Sequence, residues 1–262
     1  MKKTILITGA TDGIGLLTAR GLALAGHLVL LHGRNADKLK AARQSVAGNT
    51  ETYLAEMSII ADVNRMADEI LGRHERIDVI INNAGVYKTS SPLTGEGLDT
   101  RFVVNTIAPY VLTQRLMPVL ASDSRVVNLS SAAQAPVDLS ALRGERRIAD
   151  MDAYAQSKLG LTIWTRELAR RQPGGPVFVA VNPGSLLATK MVRDGFGTEG
   201  NDLSIGADIL TRAALSDEFA DATGKYFDND SGHFANPERS ALDASRSKDV
   251  MGVIEEVAAS AA

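Results

Sequence analysis

The sequence predicts an α/β fold, a single doubly wound parallel sheet of about seven strands with helices on both faces. Three observations carry that expectation. Short apolar runs alternate with helical stretches along the whole chain, as repeated strand–helix–strand units require. Runs such as Leu28-Val29-Leu30-Leu31 and Val177-Phe178-Val179-Ala180-Val181 are continuously apolar, as strands buried on both faces are. The first run, Ile5-Leu6-Ile7, passes through the glycine-rich turn Thr8-Gly9-Ala10-Thr11-Asp12-Gly13-Ile14-Gly15 into a helical pattern from Leu16 to Ala25.

That strand, turn and helix form the opening unit of a Rossmann-type dinucleotide-binding fold. Glycines permit the tight turn and let the backbone approach a pyrophosphate, while the helix N-terminus supplies N–H donors. The spacing is G-x-x-x-G-x-G rather than the commoner G-x-G-x-x-G. The next strand, Leu28–Leu31, ends in His32-Gly33-Arg34-Asn35. A carboxylate there would bind a ribose 2′-hydroxyl and favour NAD. An arginine stands there instead, and a guanidinium takes a 2′-phosphate in a bidentate manner. Arg34 therefore predicts NADP(H), with NAD(H) possible. Asp37 belongs to the start of the following helix, 37–46.

Residues 50–54 read as a weak strand, 59–71 as a helix, and 77–81 as a strand running into Asn82-Asn83-Ala84-Gly85. Ligands in such folds sit at the carboxyl ends of strands, so this turn faces the crevice. A long helix is expected from Thr94 to Leu120, kinked or broken at Pro109 and Pro118. Asn105 is an amide among its apolar residues, and needs partners if buried: it is a structural bridge or part of a site. Residues 125–129 form the next strand and deliver Ser130-Ser131 to the crevice. Residues 132–153 lack periodicity, which suits either a functional loop or a surface insertion. An amphipathic run from Tyr154 to Arg171 follows. Its Tyr154 and Lys158, four apart, share one helix face. A neighbouring cation lowers a tyrosine pKa, and such a pair can pass a proton near pH 7, although Y-x-x-x-K alone is a common spacing. The breaker Pro173–Pro176 precedes the strand 177–181, which ends in Asn182-Pro183-Gly184-Ser185. Residues 185–201 are a lid candidate. A helix over 202–215, a short strand over 225–227 and a helix over 243–258 close the chain. No repeat or linker divides it, so 1–262 is one cofactor-binding and catalytic domain.

Composition excludes several classes. Hydrophobic residues make up 45%, enough for a sizeable core, and the net charge is −3 without a basic run, against nucleic acid as a partner. With no cysteine and four unclustered histidines (His27, His32, His74, His233), no metal site is expected, and the histidines are assigned to the surface or to strand ends. The N-terminal apolar run is too short for a signal peptide and no stretch is long enough for a membrane span, so a cytoplasmic protein is expected.

With these positions laid out, the chain resembles the short-chain dehydrogenase/reductase family over nearly its whole length. The matching pieces are Thr8-Gly9-x-x-x-Gly13-Ile14-Gly15, Asn82-Asn83-Ala84-Gly85, Asn105, Ser131, Tyr154-x-x-x-Lys158 and Pro183-Gly184. The phrases Gly97–Asn105, Ala153–Leu159 and Thr165–Arg171 look most like the retinol-dehydrogenase-like branch, as does the long Ser131-to-Tyr154 spacing. Two departures stand out. Thr189 falls one residue later after Pro183-Gly184 than the family pattern, and Glu56 stands where an Asp usually follows the third strand. The resemblance implies hydride transfer between a nicotinamide and a carbonyl or alcohol. Tyr154 would be the acid–base, Lys158 would lower its pKa and hold the nicotinamide ribose, Ser131 (rather than its rival Ser130) would polarise the substrate oxygen, and Asn105 would hold a water joined to Lys158. Thr8, Gly9, Thr11, Asp12, Gly13, Ile14, Gly15, Arg34, Asn82–Gly85, Pro183 and Gly184 would contact the cofactor. Leu186, Leu187, Met191, Val192 and Phe196 suggest an apolar lining and a hydrophobic small-molecule substrate. A homodimer or homotetramer is implied. The competing readings are a nucleotide-sensing regulator without turnover, and a sugar-nucleotide epimerase or dehydratase, which usually carries a longer C-terminal part.

Overall fold

The computed structural model describes residues 1–189, 191–193, 197 and 199–260. One sheet runs through the molecule in the order β3-β2-β1-β4-β5-β6-β7-β8. Its strands are β1 (Thr4–Ile7), β2 (Leu28–Gly33), β3 (Thr50–Leu54), β4 (Ile77–Asn82), β5 (Leu120–Leu129), β6 (Val177–Asn182), β7 (Lys225–Asp228) and β8 (His233–Ala235). Neighbours pair in parallel throughout, except that β8 turns back antiparallel on β7. The eighth strand was not predicted, because three residues of mixed polarity carry no period.

Strand alternation divides the core in two. Leu6, Leu30, Ile80, Val126 and Phe178 face one side, packed with α3 (Ile60–Leu71), α5 (Ala108–Leu116), α7 (Asp150–Arg171) and α9 (Ala244–Ser260). Their neighbours Ile5, Ile7, Val29, Leu31, Val79, Ile81, Val179 and Val181 face the other, packed with α1 (Gly13–Leu24) and α8 (Leu203–Leu215). Both faces being covered is why these strands read as unbroken apolar runs. A surface helix, α2 (Ala36–Ser45), covers the β2–β3 edge, with Asn35 as its N-cap and Asp37 in its first turn.

The long helix expected over Thr94–Leu120 is shorter and uneven. Residues 94–98 form a turn closed by a bridge between Leu93 and Asp99. The helix starts at α4 (Thr100–Phe102), capped by Asp99. It widens into a π-turn at Val103–Ile107 before α5 resumes, and it ends before Pro118. Pro109 has no N–H for the Asn105 carbonyl four residues earlier, and a π-turn absorbs that lost bond without a break.

Two further boundaries differ. The stretch 132–153 holds a short helix α6 (Leu139–Leu142), and its last residues already belong to α7, which starts at Asp150. Tyr154 therefore sits in the second turn of its helix. β5 begins five residues before Arg125. Among the histidines, His32 is the strand-end case, buried at the end of β2. Its Nδ1 accepts from Gly9 N (3.1 Å) and its Nε2 reaches Ala55 O (3.0 Å), so the ring ties the glycine turn to β3. Burial holds its pKa below the ordinary histidine value, in keeping with a neutral ring.

Candidate functional site

The glycine turn owes its shape to backbone angles and close contact. Gly9 (φ 67°) and Gly13 (φ 54°) take left-handed conformations that only glycine adopts at low cost. A side chain on Gly15 would lie 2.4 Å from Asn83 Nδ2 and 2.5 Å from Gly9 O. Asn83 spends its amide there, donating to Thr8 O (2.8 Å) and Gly9 O (3.0 Å). Thr8 is buried and its hydroxyl accepts from Ala84 N (3.0 Å). Asp12 caps α1 by accepting from Gly13 N (2.8 Å). Thr11 packs over Gly33, where any side chain would meet its methyl at 2.4 Å. The outcome is a bare backbone cradle at the N-terminus of α1, which suits a pyrophosphate.

Two cavities of about 450 and 760 Å³ meet at Gly9, Asp12, Ala84, Gly85 and Met191. They form one crevice along the carboxyl ends of the strands. The larger is floored by Thr11, His32 and Arg34 and walled by Glu56 and Ser58. The smaller takes in Gly13, Ile14, Gly15, Ser131, Tyr154 and Lys158, and beyond them Pro183, Gly184 and the residues Ser185 to Leu187 that follow. Asn82 does not reach it. That side chain is buried beneath the sheet end, donating to Asn128 Oδ1 (2.8 Å) and Thr113 Oγ1 (3.2 Å). Thr8 likewise shapes the turn from below and touches neither cavity. Both were expected as cofactor contacts; in the structure they position their neighbours.

The catalytic candidates converge at the inner end. Ser131 hydrogen-bonds the Tyr154 phenol and draws its pKa down, but burial, the larger influence, pushes it up. The net shift is upward, opposite to the expectation that Lys158 lowers it. Lys158 Nζ stands 5.8 Å from the centre of the Tyr154 ring and donates to Leu129 O (2.7 Å). Burial depresses Lys158 to about 8. The rival Ser130 also touches the cavity, but it is buried and its hydroxyl shares a hydrogen with Thr162 Oγ1 (2.7 Å) on α7. Ser131 faces the crevice and is fixed through its carbonyl by Tyr226 Oη (3.1 Å) and Gln134 Nε2 (2.9 Å). Tyr87 stacks on Tyr154 from the other side, with ring centres 5.4 Å apart.

Asn105 is fully buried in the π-turn. Its Oδ1 accepts from Val86 N (2.8 Å), and its Nδ2 donates to Val86 O (2.9 Å) and Ser157 Oγ (2.9 Å). Its amide donors are thus committed to clamping the segment after Gly85 onto α7. Both amide donors of Asn105 are therefore spent on protein partners rather than on a water beside Lys158. A side chain on Gly85 would press between them, 3.3 Å from Asn105 Oδ1 and 3.4 Å from Lys158 Nζ.

The segment after Gly184 is held at its start. Leu187 bridges Asn201, Asn201 Nδ2 donates to Ser185 O (3.0 Å), and Ser185 N donates to Asp230 Oδ1 (2.8 Å). Despite its shifted register, Thr189 lines the smaller cavity, and its methyl would lie 3.7 Å from a side chain on Gly13. Leu186, Leu187, Met191 and Val192 line the same cavity; Phe196 lies outside the described residues. Gln134, Tyr226 and the Leu129 carbonyl were missed in the sequence. Leu129 and Tyr226 carried a signal, each being on a strand that ends in the crevice.

Comparison with known proteins fits this geometry. The family model for short chain dehydrogenase matches residues 3–199. The chain belongs to the short-chain dehydrogenase family. Human retinol dehydrogenase 13 is 33% identical over 253 residues, spanning 86% of this chain and 76% of that one. An uncharacterised protein from Mycobacterium paratuberculosis superposes with a TM-score of 0.82 at 30% identity, covering 98% of this chain and 93% of its own. A metagenomic short-chain oxidoreductase in complex with NADP aligns with a TM-score of 0.62 at 26% identity, covering 81% and 90%. The chain is an oxidoreductase of the retinol-dehydrogenase-like branch, acting between an alcohol and a carbonyl group.

Proposed function

We propose that this enzyme uses NADP(H) to interconvert a hydrophobic alcohol and its aldehyde or ketone. The observation that carries the reading is the convergence of Ser131, Tyr154 and Lys158 on one cavity whose outer wall is Met151, Leu186, Leu187, Met191 and Val192. An apolar wall favours a substrate with an apolar body. Retinol dehydrogenases among the relatives support a long apolar alcohol or aldehyde. NADP(H) is supported by Arg34 just after β2, at a position that carries no carboxylate of its own, and by the NADP held in a structural neighbour.

The residues present fit such a cofactor. Gly9, Gly13 and Gly15, which have no side chains, line the crevice at the N-terminus of α1, and the crevice continues from Arg34 to Tyr154. When bound, the nicotinamide supplies or takes up the hydride. Tyr154 gives its phenolic proton to the carbonyl oxygen in reduction and removes it in oxidation. Ser131 donates to the same oxygen, where negative charge grows. Lys158, still largely protonated at pH 7, would hold the ribose hydroxyls. A water held near Asn105 would pass the proton outward from Lys158.

The test follows nicotinamide absorbance with NADPH and NADH against long-chain aldehydes, retinaldehyde and aromatic ketones, for wild type and Tyr154→Phe. Turnover with NADPH, reduced at least about a hundredfold in the Phe variant, is expected. A Phe variant keeping more than about a tenth of the activity would remove Tyr154 from the acid–base role.

A further inference from the structure

Arg34, the group read above as the 2′-phosphate ligand, is not waiting unpaired. Its Nη1 lies 3.7 Å from Glu56 Oε2 across the larger cavity. The two ends of this pair are not equally mobile. The Arg34 side chain is 68% exposed and Glu56 only 30%. Glu56 Oε1 accepts from Ser58 N (3.2 Å), and the Glu56 backbone N–H is held by Asp62 Oδ2 (3.1 Å). Its carboxylate is thus anchored facing the cavity, and its charge is also felt at His32 in the cavity floor. Any anion that takes the Arg34 guanidinium must draw it from a carboxylate that stays where it is.

We propose that Glu56 sets cofactor selectivity by competing with the 2′-phosphate for Arg34, which lowers the preference for NADPH over NADH below what Arg34 alone would give. The proposal rests on the NADP(H) reading of this site. An ion pair this exposed is worth only a small factor in an equilibrium constant, so Glu56 tempers the preference without abolishing it. An NADH molecule carries no 2′-phosphate and has no need of the guanidinium, so its binding is indifferent to the pair. Lys38 and Asn35 line the same pocket and stay in place when Glu56 is changed.

The experiment is calorimetric titration of NADPH and NADH into wild type, Glu56→Gln, Arg34→Ala and the double variant, each first checked for a cooperative thermal transition. Glutamine keeps the shape of the side chain and an oxygen for Ser58 N–H. The expected result is that Glu56→Gln tightens NADPH about two- to fivefold and leaves NADH nearly unchanged. In the Arg34→Ala background that gain disappears. An unchanged NADPH-to-NADH ratio in Glu56→Gln overturns the proposal. So does a gain of equal size in both backgrounds, which would mean that the carboxylate acts on the phosphate directly. If Arg34→Ala weakens both cofactors alike, the NADP(H) reading of Arg34 fails first and takes the competition with it.

Discussion

Gly15→Ala isolates the demand that the cradle makes on its sequence. The added methyl would lie 2.4 Å from Asn83 Nδ2, about 1 Å inside the 3.4 Å at which ordinary contact begins, and 2.5 Å from Gly9 O. Neither neighbour can yield cheaply. Gly9 O is backbone, and Asn83 Nδ2 is bonded to Thr8 O and Gly9 O. Relief means giving up those two hydrogen bonds, about 1 kcal/mol each, on top of about 1–3 kcal/mol of overpacking. Alanine regains about 0.5–1 kcal/mol of helix propensity. The net loss is about 2–4 kcal/mol, a fall in Tm of about 5–12 °C for a domain of this size. The matched control is Gly21→Ala, also in α1 but with nothing within 4 Å of the new methyl. It should raise the Tm by about 2 °C through propensity alone. Differential scanning calorimetry reads both, and calorimetric titration of NADPH reads the cradle: affinity should fall at least about tenfold in Gly15→Ala and hold in Gly21→Ala. A Gly15→Ala protein with unchanged Tm and NADPH affinity would refute the argument that contact with Asn83 dictates this glycine.

Lys158 and the paired serines give two more tests. The folded protein releases the Lys158 proton at about 8 and the unfolded chain near 10.5. Unfolding therefore takes up a proton between those values. The cost of burying the charge is complete below pH 8 and relieved as the pH rises through that window, about 3 kcal/mol in all. Lys158→Met, inactive, should be about 2 kcal/mol more stable than wild type at pH 7, with the advantage lost by pH 10; an advantage that does not change with pH would contradict a buried cation. Ser131→Ala should lower turnover about a hundredfold with little effect on Tm. Ser130→Ala should keep turnover within about threefold and lose about 1 kcal/mol of stability with the Thr162 hydrogen bond. Steady-state rates and melting curves on the two variants decide it, and the reverse pattern would exchange the roles of the serines.

Much of this architecture was legible because its causes are local. Strands buried on both faces had to be apolar at every position, and β1, β2, β4 and β6 appeared where such runs predicted them. The glycines of the turn announced themselves because a left-handed backbone and a close contact leave no alternative. Tyr154 and Lys158 were readable as a pair because four residues make one helical turn. Where signals were weak, the reading slipped. The helix thought to open at Thr94 opens at Thr100, since Gly95 and Gly97 serve a turn closed by Leu93 and Asp99. The three-residue β8 has too short a span to show a period.

The sequence by itself determined the fold class, the family, and the order in which cradle, serine, tyrosine and lysine reach the crevice. The fold class and that order follow from backbone preference and periodicity along the chain, and the family from the resemblance of its motifs. Tertiary structure alone decided which of two adjacent serines meets Tyr154, which of two adjacent asparagines holds the glycine turn, and that the side chain of Asn105 is spent on Val86 and Ser157. It also decided that burial raises the Tyr154 pKa while lowering that of Lys158, and that Arg34 faces Glu56. The physical reason is common to all five. Hydrogen-bond partners and desolvation belong to the space around a side chain, and that space is filled by elements distant in sequence.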